Sequence, residues 1–142
     1  MNTGIFKLTE AIPDNITFLI LEDMENIKDA LIKDLRAMGV KGEILHAPTI
    51  AKANELLKEH KIDFFICDWN LPDGEGIHFV KKVRSYPLHK RTPIVMCTTI
   101  SEVGNILSAV SAGANEYIVK PWDQTELRKK ISMTWSKFIQ GK

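Results

Sequence analysis

The stretch FFICDWNLPDGEG, residues 64–76, decides the fold prediction for this chain. Its first residues are apolar, Asp68 follows them directly, and the remainder is a turn rich in Asn, Pro, Asp and Gly. A short apolar run bounded by turn residues is typical of a strand that is covered on both faces. Because a carboxylate resists burial, we predict that this strand ends at the edge of a sheet and that Asp68 projects into a cleft there.

Short apolar runs alternate with amphipathic segments along the chain. The predicted strands cover residues 16–21, 43–47, 62–67, 94–98 and 116–119. Apolar residues at helical spacing form five predicted helix faces, which comprise Ile27, Ala30, Leu31, Leu35 and Met38, then Ile50, Ala53, Leu56 and Leu57, then Phe79, Val80 and Val83, then Val103, Ile106, Leu107 and Val110, and lastly Leu127, Ile131, Trp135 and Phe138. This (βα)5 order predicts an α/β fold with helices on both faces of a doubly wound parallel five-stranded sheet.

Size and composition indicate one domain. The chain has 142 residues, of which 44% are hydrophobic, and this is enough for one sizeable core. We assign residues 1–15 to an N-terminal extension and residues 16–139 to the domain. The chain has 19 Lys and Arg and 18 Asp and Glu, so its net charge is +1. A net charge this small gives no overall electrostatic attraction to nucleic acid or to a membrane, and we expect no direct contact with either.

Targeting signals and cysteine usage point to the cytoplasm. No segment approaches the roughly 18 consecutive apolar residues of a membrane span, and the first residues lack the features of a signal peptide. Cys67 and Cys97 lie within apolar runs, which favours reduced core thiols over a disulfide framework. They precede Asp68 and Thr98 on neighbouring predicted strands, so the two thiols could lie side by side.

Polar residues lie at the carboxyl ends of four of the predicted strands. In a doubly wound sheet, ligands bind beyond the carboxyl ends of the strands, where this chain places Glu22, Asp23, Asp68, Thr98 and Lys120. Crowded carboxylates repel one another unless a cation lies between them, and a small set of oxygen ligands suits Mg²⁺. We expect Asp23, Asp68 and the backbone carbonyl of Asn70 to be direct ligands, with Glu22 acting through water. Lys120 and Thr98 would contact phosphoryl oxygens.

These residues resemble a known family, the receiver domains of two-component response regulators, in the CheY-like single-domain type. The matching motifs are Glu22-Asp23, DWNLPDGEG from Asp68, Thr98, and YIVKPW around Lys120, and the likeness extends over residues 16–138. The resemblance implies the flavodoxin-like strand order 2-1-3-4-5 and a cis peptide bond between Lys120 and Pro121. It also implies that Asp68 accepts a phosphoryl group from a sensor histidine kinase or a histidine phosphotransfer protein.

The resemblance further implies a switch and a readout surface. Thr98 would move toward the phosphoryl group and leave space into which Tyr117 turns. The surface formed by helix 4, strand 5 and helix 5 would then bind a downstream target protein, and the residues that we place on it are Ile106, Tyr117, Val119, Trp122 and Lys130. The protein would be a self-modifying phosphoacceptor and not an enzyme, and the CheY-like wording favours chemotaxis.

Other functions fit the residues less well. A flavodoxin-type electron carrier would need phosphate-binding donors after strand 1, where this chain has acidic residues. A phosphohydrolase of the haloacid dehalogenase kind would need a carboxylate at position 70, which is Asn. Two alternatives stay open: a phosphate-independent receiver that serves only as an interaction domain, and a receiver fragment of a larger regulator or hybrid kinase. We expect no output domain, since the chain closes at residues 140–142.

Overall fold

The computed structural model describes residues 12–13, 15–99 and 104–141, and it has the predicted (βα)5 order. The five strands of the main sheet are β1 (Phe18–Leu21), β2 (Ile44–Ala47), β3 (Phe64–Asp68), β4 (Ile94–Thr99) and β5 (Glu116–Lys120). The helices are α1 (Glu25–Ala37), α2 (Ile50–Glu59), α3 (Gly76–Ser85), α4 (Ile106–Ala112) and α5 (Gln124–Gln140). A two-stranded hairpin pairs Asn70–Leu71 with Gly74–Glu75, and a 3-10 turn covers Pro87–His89.

The sheet is parallel throughout, and its strand order confirms the prediction. The strands lie in the order β2-β1-β3-β4-β5. In the register, Leu21 is opposite Cys67, and Asp68 is opposite Cys97. Thr99 is opposite Lys120 in the last pair. The carboxyl ends of β1, β3, β4 and β5 therefore meet at one edge of the sheet, as a parallel sheet requires.

Two hydrophobic cores hold the helices against the sheet. The first core lies between the sheet and the helices α2, α3 and α4, and the second lies between the sheet and α1 and α5. Successive residues of β3 enter alternate cores: Phe65 belongs to the first, and Phe64 belongs to the second. Full burial of such a side chain contributes about 1.5–3 kcal/mol. Ile12, from the predicted N-terminal extension, is 7% exposed and packs in the second core.

Helix ends follow the local sequence signals. Asp123 caps α5 by accepting hydrogen bonds from the backbone N–H groups of Thr125 at 2.7 Å and Glu126 at 3.3 Å. Gly113 follows α4 with a φ of 121°, a conformation that a residue with a Cβ atom rarely adopts. Among the described residues, no helix combines the length and the apolar content that crossing a bilayer requires.

The predicted face of helix α4 is wrong. Leu107 and Val110 are 81% and 54% exposed, and the residues that face the first core are Ala109 and Ala112. Small alanine side chains let α4 pack close to its neighbour α3, whereas the larger apolar residues point to solvent. Val103, another residue of the predicted face, lies outside the described residues.

The two cysteines do not lie side by side. Cys67 belongs to the first core and Cys97 to the second, because adjacent-strand positions shifted by one residue face opposite sides of the sheet. Burial raises the pKa of Cys97 to about 12, and burial also raises the pKa of Cys67 well above its ordinary value. Both thiols stay protonated at neutral pH, which agrees with the interpretation as core residues.

Candidate functional site

The carboxyl edge of the sheet begins with two adjacent carboxylates after β1. The N–H of Glu22 donates to the carbonyl oxygen of Ala47 at 3.1 Å, which extends the strand pairing by one residue. The Glu22 side chain is buried, and its Oε2 atom accepts from the N–H of Met24 at 3.1 Å. Asp23 is exposed. This segment therefore supplies one buried and one solvent-facing carboxylate.

Asp68 ends β3 in a closely packed environment. The residue is 7% exposed, and the N–H of Trp69 beside it donates to the carbonyl oxygen of Cys97 at 3.1 Å. The N–H of Gly76 donates to the carbonyl oxygen of Trp69 at 2.7 Å. A Cβ atom on Gly76 would collide with the carbonyl oxygen of Asp68 and lie 2.8 Å from Cys67 Sγ. Helix α3 can therefore begin against the end of β3 only because residue 76 has no side chain.

Lys120, at the end of β5, bridges the two buried carboxylates. Its Nζ atom donates a hydrogen bond to Asp68 Oδ1 at 2.9 Å and lies 2.9 Å from Glu22 Oε1. Burial by itself lowers the pKa of Lys120, but the contacts with Glu22 and Asp68 outweigh burial and raise it above its ordinary value. Lys120 therefore stays charged at neutral pH.

The pKa of Asp68 is raised to about 6 from an ordinary value of 3.8. Burial is the main cause, and the charge of Glu22 adds to it. Lys120 and the N–H of Trp69 act in the opposite direction and only partly offset these two effects. The single ammonium of Lys120 therefore does not fully offset the negative charge of the carboxylates at this edge of the sheet.

The donor set fits a divalent cation. One carboxylate oxygen from each of Glu22, Asp23 and Asp68 can be chosen so that all lie within 4.8 Å of one another. Three carboxylates against one ammonium leave an excess of two negative charges, and oxygen-only donors are those that Mg²⁺ prefers. Asn70 begins the hairpin at the same edge, two residues after Asp68.

A comparison with protein families agrees with this geometry. The model of the response regulator receiver domain matches residues 18–132, which is most of the chain. The chain belongs to the response regulator receiver domain family. The chain is therefore a receiver domain of two-component signalling.

Chemotaxis proteins are among the most similar relatives of this receiver domain. A CheY homologue from Campylobacter jejuni is 32% identical over 114 residues, which cover 80% of this chain and 87% of that protein. CheY1 of Helicobacter pylori is 33% identical over 116 residues, which cover 81% of this chain and 93% of that protein. A high-resolution structure of the chemotaxis response regulator CheY4 from Vibrio cholerae superimposes with a TM-score of 0.77 at 28% identity, and the match covers 84% of this chain and 98% of that one.

Thr98 and Tyr117 share one face of the receiver domain's sheet. Thr98 is 1% exposed, and its Oγ1 atom lies 3.3 Å from the carbonyl oxygen of Thr99. Tyr117 is opposite Met96 and packs against the first core, and Thr98 falls on the same face as Met96 because strand residues alternate. Val119, opposite Thr98, is half-buried. The switch residues implied by the resemblance are therefore neighbours along two paired strands.

Lys130 lies over Tyr117. Its Nζ atom is 4.1 Å from the centroid of the Tyr117 ring and donates to the Tyr117 carbonyl oxygen at 2.7 Å. The same ammonium lies 3.5 Å from Glu116 Oε1. A cation in this position covers the ring that the switch would have to move. Ile106, at the start of α4, is half-buried.

Trp122, just before α5, contacts helix α1. Its indole N–H donates to Asp34 Oδ2 at 2.7 Å, and the ring packs against the second core. Gln124 Nε2 donates to the other oxygen of Asp34 at 3.3 Å. The structure therefore links Trp122 to helix α1, and its place on the readout surface stays a prediction.

Two further residues near the site have no signal in the sequence. His46 Nε2 lies 2.7 Å from the carbonyl oxygen of Glu22, so the tautomer with a proton on Nε2 donates to it. Asp73, in the hairpin turn, accepts from the N–H groups of Ile50 at 2.9 Å and Ala51 at 3.0 Å, and these bonds lower its pKa. Asp73 thus fastens the start of α2 to the segment that follows Asp68. The pairs are distant in sequence, so only the fold reveals them.

Proposed function

We propose that Asp68 is the phosphoacceptor of this receiver domain and that it takes a phosphoryl group from a phosphohistidine. The donor would be a sensor histidine kinase or a histidine phosphotransfer protein, which are the partner classes that the family implies. One observation carries the proposal: Asp68 and Glu22 are buried at the carboxyl edge, each 2.9 Å from the Lys120 ammonium. Two carboxylates that share one lysine leave a net negative charge, which a cation can offset.

In the transfer step, an oxygen of Asp68 forms a bond to phosphorus while the phosphorus–nitrogen bond of the donor breaks. The donor imidazole keeps the bonding electron pair and leaves as a neutral ring when its other nitrogen carries a proton. Because the transition state is loose, catalysis consists mainly of alignment and of offsetting charge. Lys120 offsets charge on the phosphoryl oxygens, and Thr98 offers a hydroxyl. Water that attacks the same phosphorus later restores Asp68.

Glu22, Asp23, Asp68 and the carbonyl of Asn70 would hold Mg²⁺. When bound, Mg²⁺ supplies positive charge that orients and neutralises phosphoryl oxygens. The excess of carboxylates over cations and the raised pKa of Asp68 support this set. The domain thus acts as a self-modifying phosphoacceptor and not as an enzyme with a separate substrate. Similarity to CheY proteins supports a role in chemotaxis.

Phosphorylation would act on a target protein through the surface formed by α4, β5 and α5. We assign Ile106, Tyr117, Val119, Trp122 and Lys130 to it, and the shared face of Thr98 and Tyr117 supports the coupling. A move of Thr98 toward the phosphoryl group would free space beside Tyr117. Lys130, which lies 4.1 Å above the ring, would then lose or change its contact.

Mass spectrometry after incubation with acetyl phosphate and Mg²⁺ tests the phosphoacceptor. The unmodified protein should gain the mass of one phosphoryl group, and chelation of Mg²⁺ should suppress the gain. Asp68→Asn should abolish it because the amide cannot attack phosphorus. Asp73→Asn is the matched control, since it makes the same change in the neighbouring turn and should leave the gain intact. If Asp68→Asn still gains the phosphoryl group, another residue is the acceptor; if the unmodified protein gains none, the domain works without phosphate.

A further inference from the structure

The amino edge of the sheet carries a concave surface far from Asp68. A cavity of about 420 Å³ lies between the end of α3, the segment of residues 87–92 and the second half of α5. Its lining includes Arg84, Lys90, Arg91, Met133, Lys137 and Phe138, and we call this surface the basic groove. Its volume falls in the range of roughly 300–1,000 Å³ that is usual for ligand sites. Two adjoining depressions, which also contact Phe138, extend it.

Positive charge predominates in the basic groove. Four of the cavity's lining residues are cationic and one, Glu116, is acidic, which leaves an excess of three positive charges. Glu116 already accepts from the N–H of Tyr117 at 3.0 Å and lies 3.5 Å from Lys130 Nζ. Within residues 12–13, 15–99 and 104–141, none of the four cations forms an ion pair. The groove therefore offers cations without counter-charges.

The charge is part of a wider asymmetry along the chain. Residues 77–142 contain eleven Lys and Arg against four Asp and Glu, which gives +7. Residues 1–76 contain eight against fourteen, which gives −6, and the sum is the net charge of +1. A nearly neutral chain thus consists of an acidic and a basic part. An acidic partner would be attracted to the basic part and repelled by the other.

Arg84 makes one wall of the groove rigid. Its Nε atom donates to the carbonyl oxygen of Gly113 at 3.0 Å, and Nη1 donates to the carbonyl oxygens of His89 at 2.8 Å and Thr92 at 2.7 Å. Nη2 donates to Asn115 Oδ1 at 3.0 Å. One guanidinium thus ties α3, the segment before β4 and the turn before β5 together. A ligand would meet a surface that is already ordered, which lowers the entropy cost of binding.

Exposed apolar side chains accompany the charge. Six large apolar side chains are exposed among the described residues, and three of them belong to this region: Leu88 at 69%, Met133 at 38% and Ile139 at 45%. A phosphate ion or a nucleic-acid backbone would satisfy the cations and leave these side chains in water. A peptide with carboxylates and apolar side chains would cover both kinds of surface.

We propose that the basic groove binds an acidic segment with apolar side chains from a partner protein. Residues 87–92 precede β4 and Asn115 precedes β5, so the groove lies at the opposite edge of the sheet from Asp68 and Lys120. A partner can therefore bind here while the phosphorylation site is occupied. The groove is independent of the proposed phosphoacceptor, and its test needs no phosphate donor.

Fluorescence anisotropy with a labelled peptide of repeated Glu-Glu-Leu units tests the proposal. The unphosphorylated protein should bind it, and the double variant Lys90→Gln with Lys137→Gln should bind about fivefold more weakly, as loss of two modest ion pairs predicts. The matched control is Lys33→Gln with Lys41→Gln. It removes the same charge from exposed positions on α1 and the loop after it, and should change binding by less than about twofold. Circular dichroism should show that both variants are folded.

Specificity experiments separate the competing occupants. A peptide of Gln-Gln-Leu units should bind weakly, and Leu88→Ser, which keeps all charges, should weaken binding of the acidic peptide. In NMR spectra, the acidic peptide should change the chemical shifts of backbone amides within residues 87–92 and 133–139. The proposal is wrong if the peptide does not bind, or if the control variant loses as much affinity as the groove variant. It is also wrong if oligothymidylate or phosphatidylglycerol vesicles displace the peptide from these residues.

Discussion

The two edges of the sheet bury charge in opposite ways. At the carboxyl edge, two buried carboxylates share the ammonium of Lys120. At the amino edge, the half-buried guanidinium of Arg84 is surrounded by carbonyl and amide oxygens. At the carboxyl edge, the negative charge of the carboxylates exceeds the positive charge of Lys120. At the amino edge, the single positive charge of Arg84 is bound by neutral oxygen acceptors.

The pKa values reflect this difference. Burial raises the pKa of Asp68 to about 6, and the charge of Glu22 adds to the shift. Burial lowers the pKa of Arg84 to about 10, so its charge is still fully present at neutral pH. A buried charge bound by neutral acceptors can organise the fold, but a crowded set of like charges costs stability. The arrangement at the carboxyl edge therefore suits ligand binding, whereas Arg84 stabilises the fold.

The largest effect should follow from Lys120→Met. Glu22 and Asp68 would then be buried together without a cation, so the free energy of unfolding should fall by about 4 kcal/mol at neutral pH with EDTA present. Urea denaturation measures this change. Lys52→Met is the control, because that lysine is 49% exposed and pairs with Glu55 on the surface, which is worth about 0.5 kcal/mol. Equal losses in the two variants would show that the carboxylates at this edge do not depend on Lys120.

Arg84→Met should lower stability by a smaller but clear amount. The change removes donors from three backbone carbonyls and Asn115, so we expect a loss of about 3 kcal/mol in the free energy of unfolding. Lys82→Met lies on the same helix at an exposed position and should cost less than about 0.5 kcal/mol. If Arg84→Met matches Lys82→Met in urea denaturation, the guanidinium has no structural role and the two edges do not differ as described.

The smallest effect should have the opposite sign. Because the pKa of Asp68 in the folded protein lies above its ordinary 3.8, folding favours the protonated carboxyl, and stability falls as the pH rises from about 4 to about 6. Asp68→Asn removes this penalty, so it should stabilise the metal-free protein by about 2 kcal/mol near pH 8. The gain should disappear near pH 4. Urea denaturation in EDTA across this range measures it, and a gain that does not change with pH would rule out Asp68 as the titrating group.

Local patterns were sufficient to predict the fold and the central residues of the site. Short runs between helical patterns predicted the five strands, and the three central strands β1, β3 and β4 are buried along almost their whole length, as strands covered on both faces should be. The carboxyl ends of parallel strands meet at one edge. Residues just after the predicted strands, such as Asp23, Asp68 and Lys120, could therefore be placed together without coordinates.

Contacts between distant residues required the tertiary structure. The indole N–H of Trp122 donates to Asp34 on α1, a contact that the sequence around Trp122 does not predict. Arg84 contacts residues 89, 92, 113 and 115, and nothing in its own segment distinguishes it from the neighbouring lysines.

The sequence by itself determined the order of strands and helices and the chemistry collected at the carboxyl edge. Only the tertiary structure decided that α4 buries Ala109 and Ala112 in place of Leu107, and that Cys67 and Cys97 enter opposite cores. Hydrophobic periodicity shows which residues prefer burial, but a strand register or a helix contact is set by residues far along the chain. The identity of the neighbours, and so the pKa of Asp68 and the role of Arg84, follows from that packing.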